Sequence, residues 1–395
     1  MQRELGQHTS PSIRKDMQAH VFAKNIRTRR RDRQPGVLTC FEISNDYNIL
    51  LCALRCRVSG QDLYAFQAST LFRSTEPQDN HETLTYISPG FDSEISSIQS
   101  TANGLLLVTS LGGKVPPEIQ IHNQANLQPR TDNRFSISGI YLSRKVDSNT
   151  TLWCASANPH SRSSQDKVVL GTEGGLIELI YRPDGISDLE VVVNTSSDTL
   201  ALSWMSANVI SAGLRSGSVL LWDHRSRGSS FRLQHAGPVC ALKRAETENH
   251  LLVAGMHDSF AMYDLRMPHV DFNGAIFGNK KSGFNRNVQR TRPFLQFSNY
   301  ENSYRYPIGM DYCEELGIVA VLQDGDHIKF FSRHNGDFIC STQVQDKALA
   351  ANELLGPVSG FKNSRTSSCL RFTKDSRDDI HLFSNREGVL HNYSW

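Results

Sequence analysis

Short runs of apolar and β-branched residues recur from residue 36 to the end of this chain, separated by clusters of Gly, Ser, Asn and Asp. Runs of that length between turn residues predict short strands. The clearest stretch is Val209 to Arg225. Ile210–Gly213 reads as one strand, Leu214–Gly217 as a tight turn and Ser218–Asp223 as the next strand. Leu251 to Arg266 repeats the outline at once, with Tyr263-Asp264 where the first copy has Trp222-Asp223. Each copy carries an arginine two places beyond its aspartate, at Arg225 and Arg266.

Seven strand groups follow from the same reading. The first covers Val37–Ile43, Asn48–Arg55 and Leu63–Phe66. The second runs from Glu94 through Leu105–Val108 to Ile119–Ile121. The third spans Ile137–Leu142, Leu152–Ala155 and Val168–Tyr181. The fourth and fifth are the two copies above, preceded by Leu200–Trp204 and Val239–Leu242. The sixth runs from Ile308 through Gly317–Val321 to Ile328–Phe331, and the seventh comprises Ser368–Phe372, Ile380–Phe383 and Val389–Trp395. Small residues, a Ser-Gly turn and an apolar strand ending Trp-Asp predict a blade of the WD-repeat kind. The expected fold is all-β, a seven-bladed WD-repeat β-propeller over 36–395. Each group averages about 51 residues, against the ~40–45 of such a repeat, and much of the excess falls in 267–292. That Gly- and Asn-rich segment holds Lys280, Lys281, Arg286, Arg290 and Arg292 and is expected to be a surface insertion. The chain ends in what should be the third strand of the last blade. An outermost strand must then come from before Gly36: either part of His20–Ile26 supplies it or the first group is read out of register.

Residues 1–35 differ from the rest. They hold nine Lys and Arg against three acids, while the remainder holds 33 against 37, so a basic extension precedes a mildly acidic body. Ser10-Pro11 is a helix start, and Ile13, Met17 and Val21 form a narrow apolar stripe behind it. That short helix either packs on its own propeller or docks on a partner. Arg27 to Arg33 reads as a solvated linker, an import signal or a phosphate-contacting arm. The eight cysteines form no Cys-x-x-Cys pair, and buried free thiols in a reducing compartment fit them best. No apolar run nears the ~20 residues of a membrane span, and the basic N-terminus has no signal-peptide core. An intracellular protein, nuclear or cytoplasmic, is expected.

Candidate chemistry is sparse. There is no Gly-x-Ser-x-Gly elbow, no phosphate-binding Gly-x-x-x-x-Gly-Lys and no metal-spaced His or Cys pair, so neither catalysis nor a cofactor is expected. His235, Asp258, Asp324, Trp204 and Trp222 read mainly as structural, His235 by bonding a turn aspartate. Arg225 and Arg266 are different. Equivalent positions in neighbouring blades set two guanidiniums side by side on one rim face, where they can bind carboxylates or carbonyls of a partner. The competing reading is that each arginine pairs with its own aspartate.

Trp222-Asp223-His224-Arg225 and Tyr263-Asp264-Leu265-Arg266 resemble the Trp-Asp-x-Arg box of propellers that act as substrate receptors of cullin-4–RING ubiquitin ligases. The resemblance covers Val209–Arg266 and Phe297–Ile328, about a quarter of the chain. It implies that Arg225 and Arg266 contact the ligase's damaged-DNA-binding adaptor, with Asp223 and Asp264 orienting the turns and Trp222 and Tyr263 completing the boxes. It further implies that a helical segment over 10–27 inserts into the adaptor's cleft. Tyr263 in place of Trp and the 267–292 insertion depart from the pattern. The expected protein is a non-catalytic receptor, a monomer within a larger complex, whose substrate the sequence does not identify. A second reading is a propeller scaffold in a nuclear RNA or chromatin complex, with 24–34 and 280–292 contacting phosphates.

Overall fold

The computed structural model describes residues 27–32, 37–43, 49–56, 60–67, 85–124, 142–146, 150–161, 165–182, 185–266, 269–270, 291–342, 369–375, 378–386 and 389–394. The expected helix over 10–27, up to residue 26, and positions 271–290 of the insertion lie outside them.

Strand β1 (Arg27–Asp32) stands apart from those that follow it. Sheet I is β2 (Val37–Ile43), β3 (Ile49–Cys56), β4 (Gly60–Gln67) and β5 (Thr85–Phe91). Sheet II is β6 (Ile95–Ser100), β7 (Leu105–Ser110), β8 (Glu118–Asn123) and β9 (Leu142–Lys145). Sheet III is β10 (Leu152–Ala157), β11 (Asp166–Thr172), β12 (Gly175–Arg182) and β13 (Gly185–Asn194). Sheet IV is β14 (Thr199–Trp204), β15 (Val209–Leu214), β16 (Ser218–Asp223) and β17 (Gly228–Gln234). Sheet V joins β18 (Val239–Arg244), β19 (His250–Gly255) and β20 (Phe260–Asp264) to β23 (Leu295–Gln296). The ribbon β21 (His269–Val270) and β22 (Thr291–Arg292) interrupts it as the paired ends of the insertion. Sheet VI is β24 (Met310–Cys313), β25 (Ile318–Leu322), β26 (Ile328–Ser332) and β27 (Phe338–Ser341). Sheet VII has the order β1-β30-β29-β28, from β28 (Leu370–Lys374), β29 (Ile380–Arg386) and β30 (Val389–Ser394). All pairings are antiparallel. Six sheets are thus wound from one run of strands each and are blades of a β-propeller. Sheet VII draws on both ends of the chain.

Packing explains the apolar runs. All six positions of β7 and all five of β25 are buried, because each strand has another sheet against both faces. Seven buried clusters link successive sheets, and the last joins Leu38 and Phe41 of sheet I to Phe383 and Leu390 of sheet VII. Truncating a large residue in any of them is expected to cost roughly 2–5 kcal/mol. Tight turns keep the sheets close. Gly217 has φ +84°, and a Cβ there would stand 2.9 Å from the carbonyl oxygen of Gly237.

Three differences from the sequence reading concern outer strands. Leu142 belongs to the fourth strand of sheet II rather than opening the third group. Strand β5 was not legible at all, since its Ser88-Pro89-Gly90 suits only a sheet edge. Sheet VII is completed by Arg27–Asp32 rather than by His20–Ile26, with Arg27 opposite Ser394 and Asp32 opposite Leu390. The arginine run is therefore a paired edge strand and not a free linker. Backbone hydrogen bonds do not depend on side-chain type, and charged side chains are common on sheet edges.

An ion chain crosses the innermost strands. Lys243 Nζ of β18 lies 2.6 Å from Asp311 Oδ1 of β24, and Arg371 Nη2 of β28 lies 2.7 Å from Glu42 Oε2 of β2. The N–H of Phe372 donates to Asp311 Oδ2 at 2.8 Å. Burial alone would push the Asp311 carboxyl up, but Lys243 and then Arg371 hold it below its ordinary value. Such a depressed carboxyl contributes stability at neutral pH that is lost as pH falls through its folded pKa. Lys243→Ala is expected to cost about 2–3 kcal/mol at pH 7, because it leaves a buried carboxylate underpaired. Burial then raises that carboxyl, so the penalty should shrink as pH approaches 4. Urea unfolding at both pH values checks this, and an equal penalty at each would rule out the charge account.

Candidate functional site

Strands β16 and β20 end on aspartates whose side chains fold forward over the following turn. Asp223 Oδ1 accepts the backbone N–H of Arg225 at 2.9 Å, and Asp264 Oδ1 accepts that of Arg266 at 3.0 Å. This is the local habit of Asp in turns, bonding the main chain two residues on. Each carboxylate then takes its own arginine side-on. Arg225 donates from Nε to Oδ1 at 3.3 Å and from Nη2 to Oδ2 at 3.0 Å. For Arg266 the same two bonds measure 3.1 and 2.8 Å. The pairing of each arginine with its own aspartate is therefore what the turns contain.

That pairing does not spend the guanidinium. It uses Nε and one Nη2 hydrogen, leaving Nη1 and the second Nη2 hydrogen as an outward edge. The arginine side chains are 69 % and 60 % exposed, whereas Asp223 and Asp264 are only 18 % and 14 % exposed. A surface ion pair of this kind stabilises little. Its effect is to fix the direction of a long side chain before any partner arrives. The side-chain hydrogen bond from Arg266 leads in holding the Asp264 carboxyl at about 2, and that from Arg225 lowers Asp223. Both aspartates stay ionised, and both arginines stay oriented, throughout the neutral range.

Register makes the two turns equivalent. Asp223 pairs with Val209 and Asp264 with His250, each the first residue of its sheet's second strand. The same position in sheet VI is Ser332, paired with Ile318. Two residues on, His334 donates its N–H to Ser332 Oγ at 3.3 Å. The cap survives there without the carboxylate or the arginine. Phe331-Ser332-Arg333-His334 is thus a third, degenerate copy that only alignment on strand register could have disclosed.

The aromatic members of the boxes lie inside. Trp222 is fully buried between sheets III and IV, and Tyr263 is buried between IV and V. Neither has surface for a partner, so both support the turns from below. His224 continues the brace, its Nδ1 lying 2.8 Å from Glu178 Oε1 of sheet III. His235 does not bond a turn aspartate. Its Nδ1 lies 2.9 Å from the Tyr263 hydroxyl and its Nε2 lies 3.3 Å from the Ser259 carbonyl oxygen. Asp258 instead accepts the N–H of Asn302, and Asp324 accepts that of Ser303, both at 2.7 Å. Trp204 donates its indole N–H to the Ser156 carbonyl at 3.1 Å, a structural contact as read.

The opposite end of the ring is built differently. The loop entering β24 sends Tyr306 across to the inner strands of sheets III and IV, where its hydroxyl lies 3.1 Å from the Trp153 carbonyl oxygen and 3.0 Å from that of Leu200. Trp153 meets the Tyr306 ring edge-on at 5.9 Å, and Arg215 lies over the Trp153 ring at 5.2 Å. Among the described residues, no three His, Cys, Asp or Glu side chains gather as metal ligands would.

Tyr263→Phe removes the hydroxyl beside His235 and is expected to cost about 1–2 kcal/mol, read as a lower urea midpoint. Burial holds His235 at about 4. A neutral buried imidazole loses stability as pH falls from its unfolded value near 6.5 towards 4, so wild-type stability should decline over that window. His122, also held at about 4 by burial, adds to the same decline, so a flat profile there would contradict the neutral burial of both. No known protein-family model matches this chain, and no curated protein matches it.

Proposed function

We propose that this protein is a seven-bladed WD-type propeller acting as a non-catalytic substrate receptor. Sheet VII, closed by β1, serves as its seventh blade. It links a protein substrate to a cullin-4–RING ubiquitin ligase through the damaged-DNA-binding adaptor. One observation carries the reading. Arg225 and Arg266 stand at equivalent register positions of sheets IV and V, each clamped side-on by its aspartate with its outer guanidinium edge in solvent. Two pre-oriented guanidiniums on a rigid rim bind paired acceptors with less ordering cost than free side chains do. The resemblance of both turns to the receptor box supports the same partner. A helical segment N-terminal to β1 would add a second contact by entering the adaptor's cleft.

The scaffold reading, with 24–34 and 280–292 contacting phosphates, is told apart from this one by salt. Phosphate contacts would make binding fall steeply with salt.

Purified adaptor provides the test. Arg225→Ala/Arg266→Ala is expected to weaken its binding at moderate salt by about two orders of magnitude, each arginine contributing ~2 kcal/mol or less. Lys at both positions should restore only a small part, because an ammonium lacks the paired donors. Tyr263→Phe, which changes nothing on the surface, should bind like the wild type. Adaptor binding that survives the double substitution would remove these turns from the interface.

A further inference from the structure

The paired arginines have an apolar neighbour on their face. Phe294 precedes outer strand β23 and is 62 % exposed, yet it is held in place. Its N–H donates to the Met262 carbonyl at 2.8 Å, and its ring stacks on the His250 imidazole, with centroids 5.7 Å apart and planes 18° from parallel. His250 Nε2 lies 3.7 Å from Asp264 Oδ2, the oxygen that receives Arg266 Nη2. Phe294, His250, Asp264 and Arg266 therefore form one continuous unit. Sheet VI braces it from the far side, where Arg333 Nη1 lies 2.6 Å from Glu246 Oε2 and Nη2 lies 3.4 Å from His250 Nδ1. At the equivalent position of sheet IV, Val209 stands where His250 does, so among the described residues Arg225 has no stacked aromatic unit beside it.

We infer that Phe294 and Arg266 form a single epitope, one that takes a partner segment carrying an apolar side chain next to a carboxylate. Charge and shape point the same way. Asp264 is recessed behind Arg266, so the unit turns its cationic end and a bare phenyl ring to solvent. A carboxylate fits the outer guanidinium edge through two parallel hydrogen bonds, and an adjacent aliphatic or aromatic group covers the ring. Aromatic and arginine side chains held rigid on a scaffold are the usual centres of binding energy. Sheet V would then contribute more to docking than sheet IV, where Val209 replaces His250 beside the arginine turn. The inference rests on the receptor reading for the identity of the partner.

Binding of purified adaptor, measured by calorimetry at moderate salt, tests it with three substitutions. Phe294→Ala is expected to weaken binding at least tenfold with an unchanged urea midpoint, since the ring is mostly in solvent. Phe294→Leu should stay within about threefold of wild type, keeping an apolar cover of similar size. Phe294→Asp should abolish binding, by placing a like charge against the partner's carboxylate. If Phe294→Ala and Phe294→Asp both bind as wild type does while the double arginine variant fails, the epitope is overturned and the receptor reading stands. If wild-type protein does not bind the adaptor at all, the receptor reading falls and the epitope with it.

Discussion

Each sheet of this protein is apolar on both faces, so none can remove its surface from water without a neighbour on each side. Sheets I and VII meet that requirement only by meeting each other. Leu38, Phe41, Ile43, Leu50 and Cys52 on one side pack with Phe383 and Leu390 on the other. The hydrophobic contact is reinforced by backbone pairing, because β1 at the front of the chain lies along β30 at its end. Stacked sheets with open ends would leave two apolar faces bare, so closure is what turns a row of hairpins into a stable disc. The ion chain from Lys243 through Asp311 and Arg371 to Glu42 runs along the innermost strands that this closure brings together.

Closure also sets what the rim can do. A turn between the third and fourth strands is anchored by the sheet below it, so Asp223 and Asp264 have fixed positions from which to aim their arginines. Trp222 and Tyr263 belong to that support. Their burial between sheets keeps the strand ends from shifting, while the short capping bond from carboxylate to backbone N–H fixes the turn itself. The geometry of these turns rests on few side chains because so many others hold them still.

The two ends of the ring are built differently. One carries the arginine turns with Phe294 beside them. At the other, Tyr306 crosses to the inner strands of sheets III and IV and meets Trp153. That loop ties three sheets together at the end away from the arginine turns.

Much of the fold was legible in the sequence, and the limits have a physical cause. Inner strands announce themselves, because burial on both faces demands continuous apolar runs such as Leu105–Val108 and Ile318–Leu322. Outer strands do not. They are held by backbone hydrogen bonds that any residue can make, so Leu142–Lys145, Thr85–Phe91 and the arginine-rich β1 carried no continuous apolar run. At the site, sequence spacing alone gave Arg225 and Arg266 their equivalence and their aspartates. It left open whether each arginine faces its own chain or a partner. Tertiary structure decided that the guanidinium does the first with one edge and leaves the other edge outward. It also set Phe294 against His250 and His235 against Tyr263, pairings between residues 44 and 28 positions apart. Local spacing fixes what a turn contains, because the turn's bonds close within a few residues. What stands beside that turn depends on which sheets close the ring, and that is settled only when the apolar faces are buried together.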